Sequence, residues 1–426
     1  MSLEGGPTPG ASPGLHKWWG PNLRTVFLAL AVLAICVATL RPAGDEIAPG
    51  WSFTLASGDE ALAEVIQNLL LFIPFGVAIA MRGVRWRNVL LAGLALSFTV
   101  EFLQQWIPGR DPSVGDIVLN ATSTLIGGII CWTAPRWLYP TEQRAPWFAL
   151  GAAALAATAW LGTGWLFQPS FPQTTYYDRW TPDIPQWPNY DGHVIWATVG
   201  TVALEQGKIA AGEQSLAADM PVFVHLSAGP PTDSRAPVLV INDIHNRDIL
   251  IVGVDREDLL TVYRTRAAAL TLARPDLRAR HALATVQLGD TLTVRVTRDC
   301  INTTCGLGYT IDDGWKLIFF PQHFPPWGLA LLNATWVGGG LLWVGLWGSL
   351  GHRHWATGGA LLLVVATLAL GPRLVGLNAT PLTEWLGGVT GLTVGWAVGW
   401  LACRGRSRLS SLGAPPPPSL SRSSHG

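Results

Sequence analysis

Eight apolar stretches alternate with polar connections along the chain, at 25–40, 62–80, 89–107, 117–134, 147–167, 327–350, 355–371 and 385–403. A bilayer core is crossed by about 20 helical residues, so most of these are long enough to span it; the first and seventh are short. One long segment, 169–326, breaks the pattern. It carries short runs rich in β-branched and aromatic residues, at 194–199, 221–226, 237–241, 249–254, 259–264, 291–297, 308–311 and 316–320, with Gly, Pro and Asp between them. Many short strands at this spacing predict an antiparallel sandwich. The expected fold class is a membrane α-helical bundle of about eight transmembrane helices plus an extracytoplasmic all-β sandwich. The expected division is a disordered terminus at 1–23, a four-helix transmembrane domain at 24–135, a fifth helix at 147–168, the β domain at 169–326, three helices at 327–403 and a disordered tail at 404–426.

Charge fixes the threading. Lys17 and Arg24 precede the first stretch. Arg82, Arg85 and Arg87 follow the second, Arg136 and Arg144 the fourth, Arg353 the sixth, and Arg404, Arg406 and Arg408 the eighth. The intervening loops are acidic or mixed, with Asp45, Glu46, Asp59 and Glu60, then Arg110, Asp111 and Asp116. Positive connections stay in the cytoplasm, so both termini are expected there and 169–326 outside. The net charge of zero is uninformative, because the charges are sorted by side. Composition agrees with a membrane protein: 49% hydrophobic and 13% charged residues, 22 Trp and a mean hydropathy of +0.31.

Polar side chains inside apolar spans mark partners or function. Glu64 and Asn68 lie four apart, as do Glu101 and Gln105, and Asp116 and Asn120, so each pair shares a helix face. Asn68, Glu101 and Asn120 are expected roughly 6–10 Å inside the outer boundary of their spans, at one level. Asn68, Glu101, Gln104, Arg110, Asp116 and Asn120 form the candidate membrane pocket, with Arg110 the nearest cation to Glu101 in sequence. The plainer reading of such amides is hydrogen bonding between helices, and it is the preferred one for Gln67 and Gln105. Pro74 is expected to kink the second span, and Gly76, Gly127 and Gly128 to let helices approach closely.

The ordered run from Asn68 through Pro74 to Gly76, then Glu101 and Gln104, then Arg110, then Asp116 and Asn120 and on to Gly127, resembles the VanZ-like membrane family over about residues 25–135. Ser123 stands where that family usually has Gly. The resemblance implies a bacterial cytoplasmic-membrane protein of the cell envelope, with some relatives linked to reduced sensitivity to glycopeptide antibiotics. It does not imply a reaction.

In the outer segment, Cys300 and Cys305 are spaced for a disulfide closing a tight hairpin in an oxidising compartment. Stretches 238–243, 247–253, 259–265 and 289–296 resemble the concanavalin-like or laminin-G-like jelly rolls, which implies a jelly-roll topology for the all-β sandwich and ligand recognition, often of glycans, sometimes with calcium. The loop Asn242, Asp243, His245, Asn246, Arg247 and Asp248 is the candidate rim; an ordinary Asn/Asp-rich hairpin is its plainer reading. Asp243 and Asp248 are the candidate calcium ligands, with no further ligand pattern beside them. Aromatic residues between Tyr176 and Trp196 are candidates for stacking on sugars or resting at the membrane surface. Glu205, Glu213 and Glu257 are too scattered for paired acid/base work. No motif calls for a cofactor, a catalytic metal or nucleic acid.

The expected function is therefore a non-catalytic envelope protein in contact with the lipid bilayer, recognising a glycan or lipid-linked glycan. A membrane enzyme using Glu101 and Asp116 as an acid/base pair is the alternative. A transporter fits less well, since the last four spans do not repeat the polar motifs of the first four.

Overall fold

The computed structural model describes residues 20–44, 50–53, 58–184, 187–209, 219–321, 324–351 and 354–412. Of the segments expected to be disordered, 1–23 and 404–426, only 1–19 and 413–426 fall outside the described residues, as do the charges Lys17, Asp45, Glu46 and Arg353; residues 21–23 instead open the first membrane helix and 404–412 continue the last. Among the described residues eight helices are long and apolar enough to cross a membrane. They are α1 (Pro21–Thr39), α2 (Ala61–Ala80), α3 (Trp86–Gln104), α4 (Val114–Leu138), α5 (Ala145–Leu166), α7 (Pro326–Ser349), α8 (His354–Leu374) and α9 (Leu382–Leu412), with a short α6 (Arg266–Ala269) in the inserted segment.

Glycine decides how closely these helices pack. A Cβ built on Gly391 of α9 would stand 2.0 Å from the Gly338 carbonyl oxygen of α7, and one on Gly395 1.9 Å from that of Leu342. Gly387, Gly391, Gly395 and Gly399 recur every four residues, so they lie on one face of α9. That stripe lets the two backbones touch, the way lipid-embedded helices gain contact when no hydrophobic force separates protein from solvent. The same device joins α2 to α4. A Cβ on Gly76 would meet the Thr124 carbonyl at 1.9 Å, and one on Gly127 the Ile73 carbonyl at 2.2 Å. Ser123 adds a hydroxyl hydrogen bond to the Leu69 carbonyl across the same seam.

Between α5 and α7 lie two antiparallel sheets. The strands are β1 (Tyr176–Trp180), β2 (His193–Val199), β3 (Val202–Leu204), β4 (Val222–Ser227), β5 (Thr232–Asp243), β6 (Asp248–Arg256), β7 (Asp258–Tyr263), β8 (Leu277–Ala279), β9 (Thr291–Val296), β10 (Cys300–Ile301) and β11 (Thr304–Cys305). One sheet has the order β1-β5-β6-β7-β8, the other β11-β10-β9-β4-β2-β3. Strict alternation on β4 buries Val222, Val224 and Leu226 and turns Phe223, His225 and Ser227 outward. The buried set packs against Val238, Ile241, Val252 and Val254 of the facing sheet in one core. The other face of the five-stranded sheet is apolar too, because Ile184 and Trp187 cover Val240, Ile251 and Leu260. Cys300 and Cys305 are joined by a disulfide across the β10–β11 hairpin.

Two expected strands are absent. Residues 308–310 are irregular and Ile311–Leu317 form a 3-10 helix. The local chemistry explains it: the Asp313 side chain accepts from the Thr310 N–H at 2.9 Å while the Thr310 side chain bonds back to the N3 backbone. This capping box starts a helical turn, not a strand. The turn is driven into the helices. Trp315 Nε1 donates to Asn333 Oδ1 of α7 at 2.6 Å.

The β domain is tied to the helix ends. The N–H groups of Leu62 and Ala63, which α2 itself cannot satisfy, donate to the Thr271 carbonyl at 3.1 and 3.3 Å. Gln67 Nε2 donates to the Ile318 carbonyl at 2.5 Å. Arg298 donates to Gln168 beyond α5 at 2.5 Å, and Asn378 beyond α8 donates to the Gly306 and Gly308 carbonyls at 2.9 and 2.8 Å. Phe167 stacks on Tyr309 with centroids 4.3 Å apart.

The glycine seam yields a prediction. Gly391→Leu forces α7 and α9 apart and lowers the apparent melting temperature of the detergent-solubilised protein, by the equivalent of about 1–3 kcal/mol or more. Gly358→Ala, where a Cβ meets open space, is neutral or slightly stabilising. Thermal unfolding of the two variants side by side checks this.

Candidate functional site

The six polar residues singled out in the first four spans lie at the domain end of the α1–α4 bundle, in two tiers. In the inner tier Asn120 Nδ2 donates to Ser97 Oγ at 3.0 Å; both residues are buried. In the outer tier Asn68 Nδ2 donates to Asp116 Oδ1 at 2.7 Å, and Glu101 Oε2 accepts from the Ser113 N–H at 2.9 Å. Ser113 is the N-cap of α4, its hydroxyl accepting from the Gly115 N–H at 3.0 Å. Glu101, only 2% exposed, thus anchors the loop that starts α4. Asp116, one helical turn along, is half-buried. Asn120 Oδ1 is buried without a donor.

Arg110 does not pair with Glu101 as its sequence position led one to expect. Its Nε donates to the Arg41 carbonyl just past α1 at 2.9 Å and its Nη2 to the Ala38 carbonyl in the last turn of α1 at 2.8 Å, which satisfies a terminal helix carbonyl and fixes the exit of the chain. Burial lowers the hold of Arg110 on its proton and the Glu101 charge opposes this, so the two groups act on each other through space without contact. Gln104 does similar work, donating from Nε2 to the Thr39 carbonyl at 2.9 Å. Sequence reasoning found the carboxylates and amides but missed Ser97, Ser113 and Thr39. Of these only Ser113 carries a signal, a Ser immediately before a helix.

The loop 242–248 is a closed hairpin. Asp243 Oδ1 accepts from the His245 and Arg247 N–H groups, both at 2.9 Å, and Oδ2 from Arg247 Nη2 at 2.6 Å. Asn242 Nδ2 donates to Asp248 Oδ1 at 2.7 Å, and Arg179 Nη2 to Asn242 Oδ1 at 2.9 Å. Arg274 bridges Asp248 and Asp59, each at 3.6 Å, which sets this hairpin against the entry to α2. Asn246 takes a left-handed turn conformation, φ 57°. The plainer reading of this loop therefore describes its geometry. Among the described residues no group of three or more His, Cys, Asp or Glu is arranged to hold a metal ion. The aromatic candidates also divide: Tyr176 and Tyr190 are core residues, while Trp196 is 43% exposed.

Two further features lie away from these loops. A cavity of about 590 Å³ opens between α4, α5 and α7, walled by Trp137, Trp147, Trp160, Trp336, Trp343 and Trp347. At the junction of the 3-10 helix with α9, the Asp312, Asp313 and Glu384 side chains are all buried. Lys316 pairs with Asp313, and burial raises the hold of Asp312 on its proton.

The Asp243 hairpin predicts a pH dependence. Burial pushes the Asp243 carboxyl up, but the Arg247 side chain and the backbone donors of Arg247 and His245 together bring it below the usual carboxylate range. A depressed folded-state value means that the stabilisation is present above the unfolded carboxylate range, about pH 3.9, and is lost as pH falls through the folded value. Asp243→Asn should destabilise the domain at neutral pH by roughly 1–3 kcal/mol. The gap between variant and parent should close on acidification, as followed by tryptophan fluorescence.

No curated protein matches this chain, and no solved structure does. One family model matches, over residues 25–136; that span contains α1 from Thr25 onward, α2, α3, nearly all of α4 and every residue of the two-tier cluster. By that match the amino-terminal helices of this membrane protein are similar to the VanZ/LLP1 family, and the β domain and the later helices lie outside the matched region.

Proposed function

We propose that the protein is a cell-envelope recognition protein of a bacterial cytoplasmic membrane. In this reading both termini are cytoplasmic, the β domain is outside, and the ligand is a glycan or lipid-linked glycan. The observation that carries it is the placement of Glu101 and Asp116. Two carboxylates stand at the domain end of the α1–α4 bundle, braced by Ser113 and Asn68, beside the point where Thr271 and Arg274 seat the β domain on α2. Intramembrane carboxylates are costly and rarely kept without a task. A ligand carried in the outer leaflet meets both modules at once. Arginines 82, 85, 87, 136 and 144 lie at the opposite end of the bundle, which supports the orientation. A change in sensitivity to glycopeptide antibiotics follows if the recognised ligand is the lipid-linked wall precursor.

The test separates function from bracing. Glu101→Gln keeps an acceptor for the Ser113 N–H, and Asp116→Asn keeps one for Asn68. Both variants should insert and melt like the parent in lipid nanodiscs, yet bind a lipid-linked glycan at least about tenfold more weakly, a loss of about 1.4 kcal/mol. Unchanged binding in both, or no binding by the parent, sinks the reading. The acid/base alternative draws on the same two carboxylates. Turnover of the lipid-linked glycan by the parent, lost in both variants, would favour it.

A further inference from the structure

The six-stranded sheet turns its inner face to the core and leaves its outer face open. Register places the outward residues of three neighbouring strands in straight rows. Trp196, His225 and Thr293 form one row across β2, β4 and β9, and Thr198, Phe223 and Arg295 the next. The rows are organised. The Trp196 and His225 rings stack with centroids 5.3 Å apart and planes at 18°. His225 Nδ1 lies 2.9 Å from Thr293 Oγ1, and the Arg295 guanidinium sits 6.0 Å over the Phe223 ring. A further row pairs His193 with Ser227 and Ser227 with Thr291. These three rows contain no carboxylate, while His193, His225 and Arg295 are basic.

We infer that this face binds an acidic carbohydrate strand laid across β2, β4 and β9. This rests on the reading of the protein as a glycan recogniser, and it names the place and the charge of the ligand. Three strands cover about 10 Å, the length of a disaccharide unit. An exposed indole braced from one side offers a flat apolar surface to the C–H face of a sugar ring. Thr198, Thr293 and the imidazoles offer hydroxyl and ring-nitrogen partners for sugar hydroxyls. Arg295 supplies the planar fork that suits a carboxylate or phosphate on the strand. The absence of carboxylates in these rows removes the repulsion an anionic chain would meet. A protein partner is a poorer fit: Ile195 and Trp196 are the exposed large apolar residues of these strands, and with Phe223 under Arg295 they make a patch smaller than the anchor cluster of a protein interface. The face also stands close to the membrane. Arg298, three residues past Arg295, already bonds Gln168 at the end of α5 and the Gly376 carbonyl beyond α8, a distance of at most about 10 Å along the chain.

The experiment is calorimetric titration of the full chain in neutral phosphatidylcholine nanodiscs with uronic-acid oligosaccharides and, in parallel, neutral glucan oligosaccharides. The expected result is saturable binding of the acidic series. Trp196→Ala should lower affinity at least about tenfold for either series, and Arg295→Gln should lower it for the acidic series only. Both variants should melt like the parent, because both side chains lie on the open face. Glu101→Gln should bind these lipid-free oligosaccharides normally. Acidic-glycan binding that survives both face variants overturns the placement and leaves the wider reading intact. A parent that binds neither series, yet binds a lipid-linked glycan, overturns the sheet-face site alone. A parent that binds none of the three overturns both readings. Adhesion of the face to vesicles, lost in Trp196→Ala without any glycan binding, would make it a membrane-contact surface and also overturn the inference.

Discussion

Every helix that ends at a membrane surface leaves backbone N–H or C=O groups without partners, and at one end each of α1, α2 and α4 other parts of the chain supply them. Thr271 of the β domain answers the first N–H groups of α2. Ser113, held by Glu101, caps α4. Arg110 and Gln104 answer the Ala38 and Thr39 carbonyls at the end of α1. Each unanswered group near lipid would cost several kcal/mol, so these contacts fix where the domain sits and how the loops run. Part of the polar cluster follows from the same requirement, because Glu101 holds the Ser113 cap of α4, whereas the Asn68–Asp116 and Asn120–Ser97 bonds join helix to helix.

The bundle and the β domain are held by different physics. The domain has an apolar core between two sheets, and water drives its burial. Inside lipid that drive is missing, and α7 and α9 instead bring backbone against backbone along a glycine stripe. The junction combines both. Trp315 and Phe167 bury apolar surface at the helix ends, while Gln67, Arg298 and Asn378 make the polar contacts. A domain tied at this many helix ends is positioned relative to the membrane, not tethered loosely above it.

That positioning bears on ligand recognition. The carboxylates at the end of the α1–α4 bundle and the open sheet face are separate chemical surfaces, one acidic, with Glu101 buried and Asp116 half-buried, the other basic, aromatic and exposed. A lipid-linked glycan has matching parts, a membrane-bound end and an outward-reaching sugar chain. The proposal that one ligand engages both surfaces rests on this correspondence. The Trp-walled cavity between α4, α5 and α7 is mostly apolar and lined by none of the residues of either surface.

The sequence by itself determined the eight helices, because length and hydropathy leave a bilayer-spanning chain no alternative to helix. It determined six strands of the β domain, as short β-branched and aromatic runs set off by Gly, Pro and Asp, and it singled out Glu101, Asp116 and their amide neighbours by helical spacing. The tertiary structure decided the partners. Arg110 looked like the counter-ion of Glu101 because the two are near in sequence, yet the α1 carbonyls it reaches belong to a helix some 70 residues earlier. The 242–248 loop looked like a binding rim because its residues are polar; folding shows that they bond one another. Residues 316–320 looked like a strand by composition, and the Thr310 cap together with the seat offered by α7 made the preceding turn helical. The open face on β2, β4 and β9 was invisible because strand register, which sets Trp196 beside His225 and His225 beside Thr293, is a property of pairing between segments far apart in the chain.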